Sequence, residues 1–253
     1  MISKRMISDI RALHLDKHRK EQQLFIVEGE KVVQELLRSG VIVKTLYATV
    51  KYDVSNLTKR PETEFHEISE AELQKISLLH TPNKVVAIAE RPTSPVLTFE
   101  NNTSLVLLLD GIKDPGNLGT LIRTADWFGI NTVICSEDCV DAYNPKVVQS
   151  AMGSLFRMQL YSESLIEVIE RGKSEGNYFI AGASADGIPY FEYKTENPLM
   201  LVIGSESHGI SAAVLSKVDG KAGIPRAEGS SAESLNAGIA GAILMAHFRH
   251  TGN

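Results

Sequence analysis

A glycine-rich turn in the second half of the chain carries side chains that bind anions. The segment LLLDGIKDPGNLGTLIRTADWFGI ends an apolar run at Asp110 and continues to Asn117 and Arg123. A guanidinium binds phosphate or carboxylate through two parallel hydrogen bonds. Asparagine often begins a helix by accepting a backbone N–H, so we predict that Asn117 is the N-cap of the segment that follows. The alternative is a strand-to-helix turn whose arginine simply meets solvent.

This turn differs from the common nucleotide-binding loops. Its glycines, Gly111, Gly116 and Gly119, do not match the dinucleotide pattern G-x-G-x-x-G. The phosphate loop that ends in Gly-Lys-Ser/Thr is also missing from the sequence. A dinucleotide-dependent enzyme and an NTPase are therefore disfavoured.

A second polar cluster, GSESHG, directly follows the apolar run LMLVI. Gly204 and Gly209 flank it, and glycines let a ligand approach the backbone closely. Glu206 is a candidate polar anchor at the end of a strand. His208 has the side chain of a general base, although a single loop histidine is more often exposed and idle.

A third cluster lies in IPRAEGSSAESLNAGIAGAILMAHF, where Ile224 is predicted to end a short strand. Ser234 and Asn236 have the side chains that cap helices, and capping is their simplest role. The following helix contains many small residues, which indicates close packing in the core or at a subunit interface. The apolar residues that recur there at helical spacing are Leu235, Ile239, Ala242, Ile243 and Ala246.

The elements that position these clusters are short apolar runs alternating with amphipathic segments. Residues 105–109 are five consecutive apolar residues, as expected for a strand buried on both faces. The second half therefore predicts a parallel sheet with helices on both faces, whose ligands bind at the carboxyl edge of the strands. The first half predicts a smaller α/β domain, and a Pro- and Asn-containing linker lies near residues 91–103.

Composition restricts the class of protein. The 253 residues carry a net charge of −5, which argues against a protein that coats nucleic acid. No run approaches the roughly 18 apolar residues of a membrane helix, and the N-terminus lacks the features of a secretory signal. Cys135 and Cys139 are too few for a zinc site, so we interpret them as ordinary thiols and expect a cytoplasmic protein.

The first 24 residues form a mildly basic cluster, which predicts either a solvated helix face or a surface that binds phosphates. Its cationic side chains are Lys4, Arg5, Arg11, Lys17, Arg19 and Lys20.

In this order the three clusters resemble the signature motifs of the SpoU (TrmH-like) branch of the SPOUT RNA methyltransferases. The resemblance spans residues 104–248. HRKEQQLFIVEGEKVVQELL is similar to the small domain that precedes many of these catalytic domains. The implied fold class is α/β: an RNA substrate-binding domain (1–95, ribosomal protein L30e-like) followed by a SPOUT domain (104–253) with a parallel sheet and a deep trefoil knot.

The resemblance also implies the chemistry. The family binds S-adenosylmethionine and transfers its methyl group to a ribose 2′-hydroxyl of RNA. It works as a homodimer and needs neither a metal nor a membrane. Carried over by motif, the catalytic set is Arg123, Asn117, Glu206, Ser234 and Asn236. The residues implied to contact the cofactor are Gly204, Ile224 and Leu235.

The sequence departs from the family pattern at three places. Arg226 stands where methionine is common, Ser207 replaces a frequent glycine, and the loop 224–235 is longer than usual. We expect ribosomal RNA as substrate because a separate N-terminal domain with a basic start precedes the catalytic half. The alternatives are transfer RNA, methylation of a base nitrogen, and a catalytically silent RNA-binding factor of ribosome assembly.

Overall fold

The computed structural model of the chain describes residues 2–55, 62–99, 105–193, 198–232 and 234–251. Part of the predicted linker, 100–103, therefore lies outside the described residues. The contacts divide the chain into two compact units. Unit 1 comprises Met1–Thr93 and Asp141–Arg157, and unit 2 comprises Ser94–Val140 and Met158–Asn253.

Unit 1 contains a four-stranded mixed sheet, as the alternating apolar runs predict. Its order is β1-β4-β2-β3, where β4 is antiparallel to both neighbours and β3 is parallel to β2. The strands are β1 (Leu24–Glu28), β2 (Val43–Ala48), β3 (Glu64–Glu67) and β4 (Val85–Glu90). The helices from the first part of the chain are α1 (Lys4–Ala12), α2 (Asp16–Gln22), α3 (Glu30–Arg38) and α4 (Glu70–Ile76).

Residues 141–157, from the second half of the sequence, complete unit 1. They form α6 (Pro145–Ala151) and a 3₁₀ turn, and the ring of Tyr143 lies 4.9 Å from that of Phe25, centroid to centroid. Arg19 is 1% exposed and its Nε lies 2.7 Å from Asp141 Oδ2. Neither prediction for the basic cluster holds for Arg19, because this side chain is buried in an ion pair.

Unit 2 contains a six-stranded sheet in which every pair is parallel, which confirms the predicted architecture. Its order is β10-β8-β9-β5-β6-β7. The strands are β5 (Leu105–Asp110), β6 (Thr132–Cys135), β7 (Gln159–Ser162), β8 (Phe179–Pro189), β9 (Leu199–Gly204) and β10 (Gly220–Gly223). The helices are α5 (Pro115–Trp127), α7 (Leu165–Gly176), α8 (Ala212–Leu215) and α9 (Ala237–Thr251). The trefoil knot stays a prediction.

Two details of unit 2 differ from the sequence predictions. Helix α5 is capped by Asp114, whose carboxylate accepts from the Asn117 N–H at 2.8 Å, so Asn117 is not the N-cap. Proline at the next position favours this start because its missing N–H is not needed there.

The apolar stripe predicted for the last helix, which begins with Leu235 and Ile239, is not its buried face, because both of these side chains are exposed. The buried face is formed by Ala237, Gly238, Gly241, Leu244, Met245 and Phe248.

Among the described residues, no helix has the length and apolar character to cross a membrane.

Candidate active site

The site lies where β5 and β9 end side by side in unit 2. Asp110 and Gly204 are the last paired residues of these parallel strands. After Gly204 the chain turns back on itself, because Ser205 and Gly209 exchange two backbone hydrogen bonds of 3.0 and 2.9 Å. A Cβ on Gly204 would lie 2.1 Å from the carbonyl carbon of Gly209. Only glycine therefore allows this loop to close over the strand end.

Asp110 fixes the far side of the same loop. This carboxylate is 7% exposed, and its Oδ2 accepts the backbone N–H of Ser211 at 2.7 Å. A buried carboxylate requires such a donor, because leaving it unsatisfied is costly. From the sequence, Asp110 was predicted only to end a strand, and its bond to the loop after β9 was missed. An acidic residue directly after five apolar ones was the feature of the sequence that could have indicated a structural role.

Three predicted site residues form one hydrogen-bonded chain. Asn236 Nδ2 donates to Asn117 Oδ1 at 2.8 Å, and it also donates to Glu206 Oε1. Glu206 Oε1 accepts in addition from the N–H of Ala237 at 3.4 Å. The carboxylate thus lies at the N-terminal end of α9, where the helix dipole favours negative charge.

Asn236 holds this position because it also caps α9. Its Oδ1 accepts the N–H of Ile239 at 3.2 Å, and its carbonyl accepts the N–H of Ala240 at 2.9 Å. The prediction that Asn236 caps the last helix is therefore confirmed. One side chain joins the starts of α5 and α9 to the loop after β9.

Small residues on α9 let it pack closely on α5. A Cβ on Gly238 would lie 3.3 Å from Thr120 Cγ2, and one on Gly241 would lie 2.3 Å from Leu121 Cδ2. Larger side chains at either position would push the helices apart. The glycines therefore set the distance that Asn236 spans to reach Asn117.

Arg123 projects from α5 into solvent. It lies six residues after Asn117 in the same helix and is exposed. Among the residues that the structure describes, it makes neither a hydrogen bond nor an ion pair. A guanidinium without a protein partner among the described residues is available to bind an anion.

The loop after β10 contains the remaining predicted residues. Ile224 directly follows the strand and is half-buried, whereas Ser234 is exposed and Leu235 is 46% exposed. Arg226 Nη1 donates to the carbonyl of Ala232 at 3.0 Å, so this departure from the family pattern closes the loop on itself. Ser234 is not joined to the Asn117–Asn236–Glu206 chain by any hydrogen bond between described residues.

The other polar residues of the GSESHG loop face outward. Ser207 Oγ and His208 Nδ1 lie 2.8 Å apart, and both residues are exposed. His208 thus contacts its neighbour and not the Asn117–Asn236–Glu206 chain. Within the described ranges, no group of three or more His, Cys, Asp or Glu residues is arranged to hold a metal ion.

Comparison of the sequence with models of protein families identifies the family of the chain. A sequence model described as the SpoU rRNA Methylase family matches residues 104–246, more than half of the chain. The chain belongs to the SpoU rRNA methylase family. A second model, described as an MRM3-like substrate binding domain, matches residues 4–87. The N-terminal part of this SpoU methylase is thus a substrate-binding domain, as predicted.

Individual relatives resemble the SpoU methylase over nearly its whole length. The 23S rRNA (guanosine(2553)-2′-O)-methyltransferase RlmP of Bacillus subtilis is 34% identical, covering 96% of this chain and 95% of RlmP. The mitochondrial rRNA methyltransferase 3 of Homo sapiens is 25% identical, and the match covers 90% of this chain and 67% of the human protein.

Solved structures are similar in the same way. A putative TrmH-family RNA methyltransferase from Porphyromonas gingivalis is 36% identical with a TM-score of 0.87, covering 99% of both chains. The SpoU methyltransferase AviRb from Streptomyces viridochromogenes, solved with AdoMet, is 26% identical with a TM-score of 0.86, covering 100% of both.

Proposed function

We propose that this chain transfers a methyl group from S-adenosylmethionine to a ribose 2′-hydroxyl of ribosomal RNA. The observation that carries the proposal is the hydrogen-bonded chain of Asn117, Asn236 and Glu206 at the base of the helix that presents Arg123. A ribose hydroxyl is a weak nucleophile, so the site must orient it and stabilise the charge that develops. Side chains held rigidly before the substrate arrives perform both tasks.

The residues at the ends of β9 and β10 fit S-adenosylmethionine, which supplies a methyl group activated by its sulfonium. An adenine ring needs apolar side chains and backbone hydrogen-bonding groups. Ile224 and Leu235 offer partly exposed apolar side chains at the two ends of one loop. Gly209 has no other atom within 4 Å of its Cβ position, so a ligand can approach its backbone closely, and Gly204 begins the same turn. We assign cofactor contact to Gly204, Ile224 and Leu235.

Arg123 binds the phosphate next to the target ribose and fixes the position of the 2′-hydroxyl. Arginine stays protonated in proteins, so we assign it electrostatic positioning and not proton removal. Oδ1 of Asn117 already accepts a hydrogen bond from Asn236, so Nδ2 of Asn117 is the group that donates to a substrate oxygen. Glu206 and Asn236 hold this amide in place, and we assign Ser234 to ribose or cofactor contact.

The functional unit is a homodimer. Exposed apolar side chains lie on the two helices that carry the site: Trp127 of α5 is 84% exposed and Ile239 of α9 is 54% exposed. Large apolar side chains in such positions are typical of a protein interface. A second copy covering this face would place its own residues near Arg123.

Ribosomal RNA is the favoured substrate. RlmP and the mitochondrial rRNA methyltransferase 3 are both named for it. We assign RNA binding to residues 1–95 and methyl transfer to residues 104–253, and we place the reaction in the cytoplasm.

The test uses radiolabelled S-adenosylmethionine with ribosomal RNA or transfer RNA from a strain that lacks the gene. We expect alkali-resistant 2′-O-methyl label in ribosomal RNA. Arg123→Ala should lower the rate roughly a hundredfold or more, and Arg123→Lys less. Glu167→Gln, at an exposed position of α7 outside the assigned site residues, is the control and should retain full activity.

Label confined to transfer RNA would overturn the substrate assignment. Label on a base would overturn the ribose chemistry. No label in either RNA, with S-adenosylhomocysteine binding intact, would favour the catalytically silent RNA-binding protein.

A further inference from the structure

The two cysteines of the chain lie together beside the active-site turn. Cys135 ends β6 and is buried, whereas Cys139 lies in the following turn and is half-buried. The turn is closed by a hydrogen bond of 3.0 Å from the N–H of Cys139 to the carbonyl of Ser136. The structure holds both cysteines as thiols, and their side chains are hydrogen-bonded to each other.

The sulfur of Cys139 is hydrogen-bonded to the segment that connects β5 to α5. Its Sγ accepts the backbone N–H of Ile112 at 3.2 Å and donates to the carbonyl of Leu109 at 3.3 Å. These two residues flank Asp110 and Gly111, where the chain leaves the sheet toward Asn117. A single sulfur therefore bonds both sides of the strand end that precedes the catalytic helix.

The surroundings of Cys139 favour its thiolate. Hydrogen bonds from the Cys135 thiol, the Ser136 hydroxyl and the Ile112 N–H lower the pKa of Cys139 to about 7, against burial and the charge of Asp138. The charged groups that face the turn are Asp138 and Lys113, whose Nζ lies 2.9 Å from Asp138 Oδ2. A thiolate is the form of cysteine that attacks disulfides.

We propose that Cys139 is a site of reversible thiol–disulfide exchange with a low-molecular-weight disulfide of the glutathione class, with Cys135 as the resolving thiol. In the first step, the Cys139 thiolate attacks one sulfur of the disulfide. The Cys139–glutathione bond forms, the disulfide bond breaks, and the released glutathione thiolate takes up a proton. In the second step, deprotonated Cys135 attacks the Cys139 sulfur, the Cys135–Cys139 bond forms, and the second glutathione leaves as a thiol.

Modification has a direct structural consequence. The thiol form of Cys139 makes both bonds, and the thiolate keeps the bond from the Ile112 N–H. A disulfide sulfur has no proton to donate to Leu109 and is a poor acceptor for the Ile112 N–H. Both bonds to the strand end are lost, and the turn that leads to Asp114 and Asn117 loosens. We expect methyl transfer to fall about tenfold, the rate equivalent of losing one neutral hydrogen bond. This effect on activity rests on the proposed function.

The experiment incubates the full-length reduced protein with glutathione disulfide and follows intact mass, peptide mapping, hydrogen exchange and methyl transfer. We expect a glutathionyl adduct at Cys139, then loss of the adduct and of two hydrogens as the internal disulfide forms. The peptide covering residues 109–114 should exchange faster after modification. Dithiothreitol should restore the starting mass, exchange and activity.

Two variants separate the roles of the thiols. Cys135→Ser should stop at the mixed disulfide, and Cys139→Ser should form no adduct while keeping the hydroxyl bonds to the turn. Absence of an adduct on wild-type protein, or equal modification of Cys139→Ser, would overturn the proposal. Quantitative oxidation without a change in exchange at 109–114 would refute the coupling. An enzyme that never methylates RNA would refute the proposed function, while mass and exchange would still decide the thiol chemistry.

Discussion

Asn236 and Asn117 are separated by 119 positions in the sequence and joined by a hydrogen bond of 2.8 Å between their side-chain amides. The same Asn236 caps α9 through its Oδ1 and reaches Glu206 through its Nδ2. One amide therefore performs a structural task with its oxygen and a site-organising task with its nitrogen. A substitution that changes only the nitrogen separates the two tasks.

Asn236→Asp keeps the cap and loses the donor. Aspartate caps helices as well as asparagine does, so we expect α9 to keep its cap and the unfolding midpoint in urea to fall less than in Asn236→Ala, which loses the cap as well. The new oxygen faces Glu206 Oε1 and Asn117 Oδ1, and this repulsion should lower kcat/KM roughly ten- to a hundredfold. The measurement is methyl transfer at fixed RNA concentration beside urea unfolding. Equal activity of the variant and wild type would show that the amide bridge has no role in the reaction.

Gly204→Ala should damage the loop that closes over β9. The added Cβ would lie 2.1 Å from the carbonyl carbon of Gly209, and both groups belong to the backbone. We expect destabilisation of about 1–3 kcal/mol and loss of S-adenosylhomocysteine binding, measured by urea unfolding and calorimetry. Gly40→Ala is the control, because no atom lies within 4 Å of a Cβ there. Wild-type stability and affinity for Gly204→Ala would contradict the close backbone approach.

Asp141→Ala should destabilise unit 1 strongly. The variant leaves Arg19, which is 1% exposed, without its partner at 2.7 Å. Removing one member of a buried ion pair costs about 3–5 kcal/mol. Arg19 keeps the longer pair of 3.4 Å with Asp16, whereas Arg91 loses its pair of 3.2 Å with Asp141, so we expect a loss toward the lower end of this range. Urea unfolding measures the change. Asp9→Ala breaks an exposed pair of 3.9 Å with Arg5 and should leave the midpoint unchanged. A similar small effect of both variants would argue against a buried Arg19.

The buried carboxyl of Glu28 should make stability depend on pH. Burial raises the pKa of Glu28, although the Ser77 hydroxyl and the Leu78 N–H donate to it. The folded state then binds the proton more tightly than the unfolded state. The free energy of unfolding therefore falls as the pH rises from the usual glutamate pKa through the raised one.

Glu28→Gln removes this titration. Urea unfolding between about pH 4 and about pH 7 should show a smaller loss of stability with rising pH for the variant than for wild type. Glu67→Gln, an exposed position at the end of β3, should keep the wild-type slope. Identical slopes for all three proteins would show that Glu28 does not titrate differently on folding.

The strands of the parallel sheet were predictable because burial on both faces requires continuous apolar residues. Leu107, Leu108 and Leu109 are fully buried as expected. The start of α5 was less predictable, since Asp114 and Asn117 are both good caps three residues apart. Pro115 decides between them, because proline fits the first helical position and disfavours later ones. The local signal was present, but it required weighing two candidates against each other.

The rest depended on contacts distant in sequence. Charge composition placed Arg19 in a basic cluster, but nothing near Arg19 in the sequence indicates the partner Asp141. Likewise, the helical spacing in α9 allows two apolar faces, and only the packing of Gly238 and Gly241 on α5 selects the buried one. The family resemblance named Asn117, Glu206 and Asn236 among the candidates, whereas the hydrogen bonds that join these three came from the tertiary fold.

The return of residues 141–157 to the N-terminal unit sets an order of events during synthesis. A ribosome releases Arg19 and Phe25 more than a hundred residues before Asp141 and Tyr143 exist to cover them. At translation rates of roughly 5–20 residues per second, this delay lasts several seconds or more. The nascent N-terminal half thus lacks the shorter of the two ion pairs of Arg19 and the ring that packs on Phe25 until the middle of the chain emerges, and in that interval it exposes surface of the kind that chaperones bind.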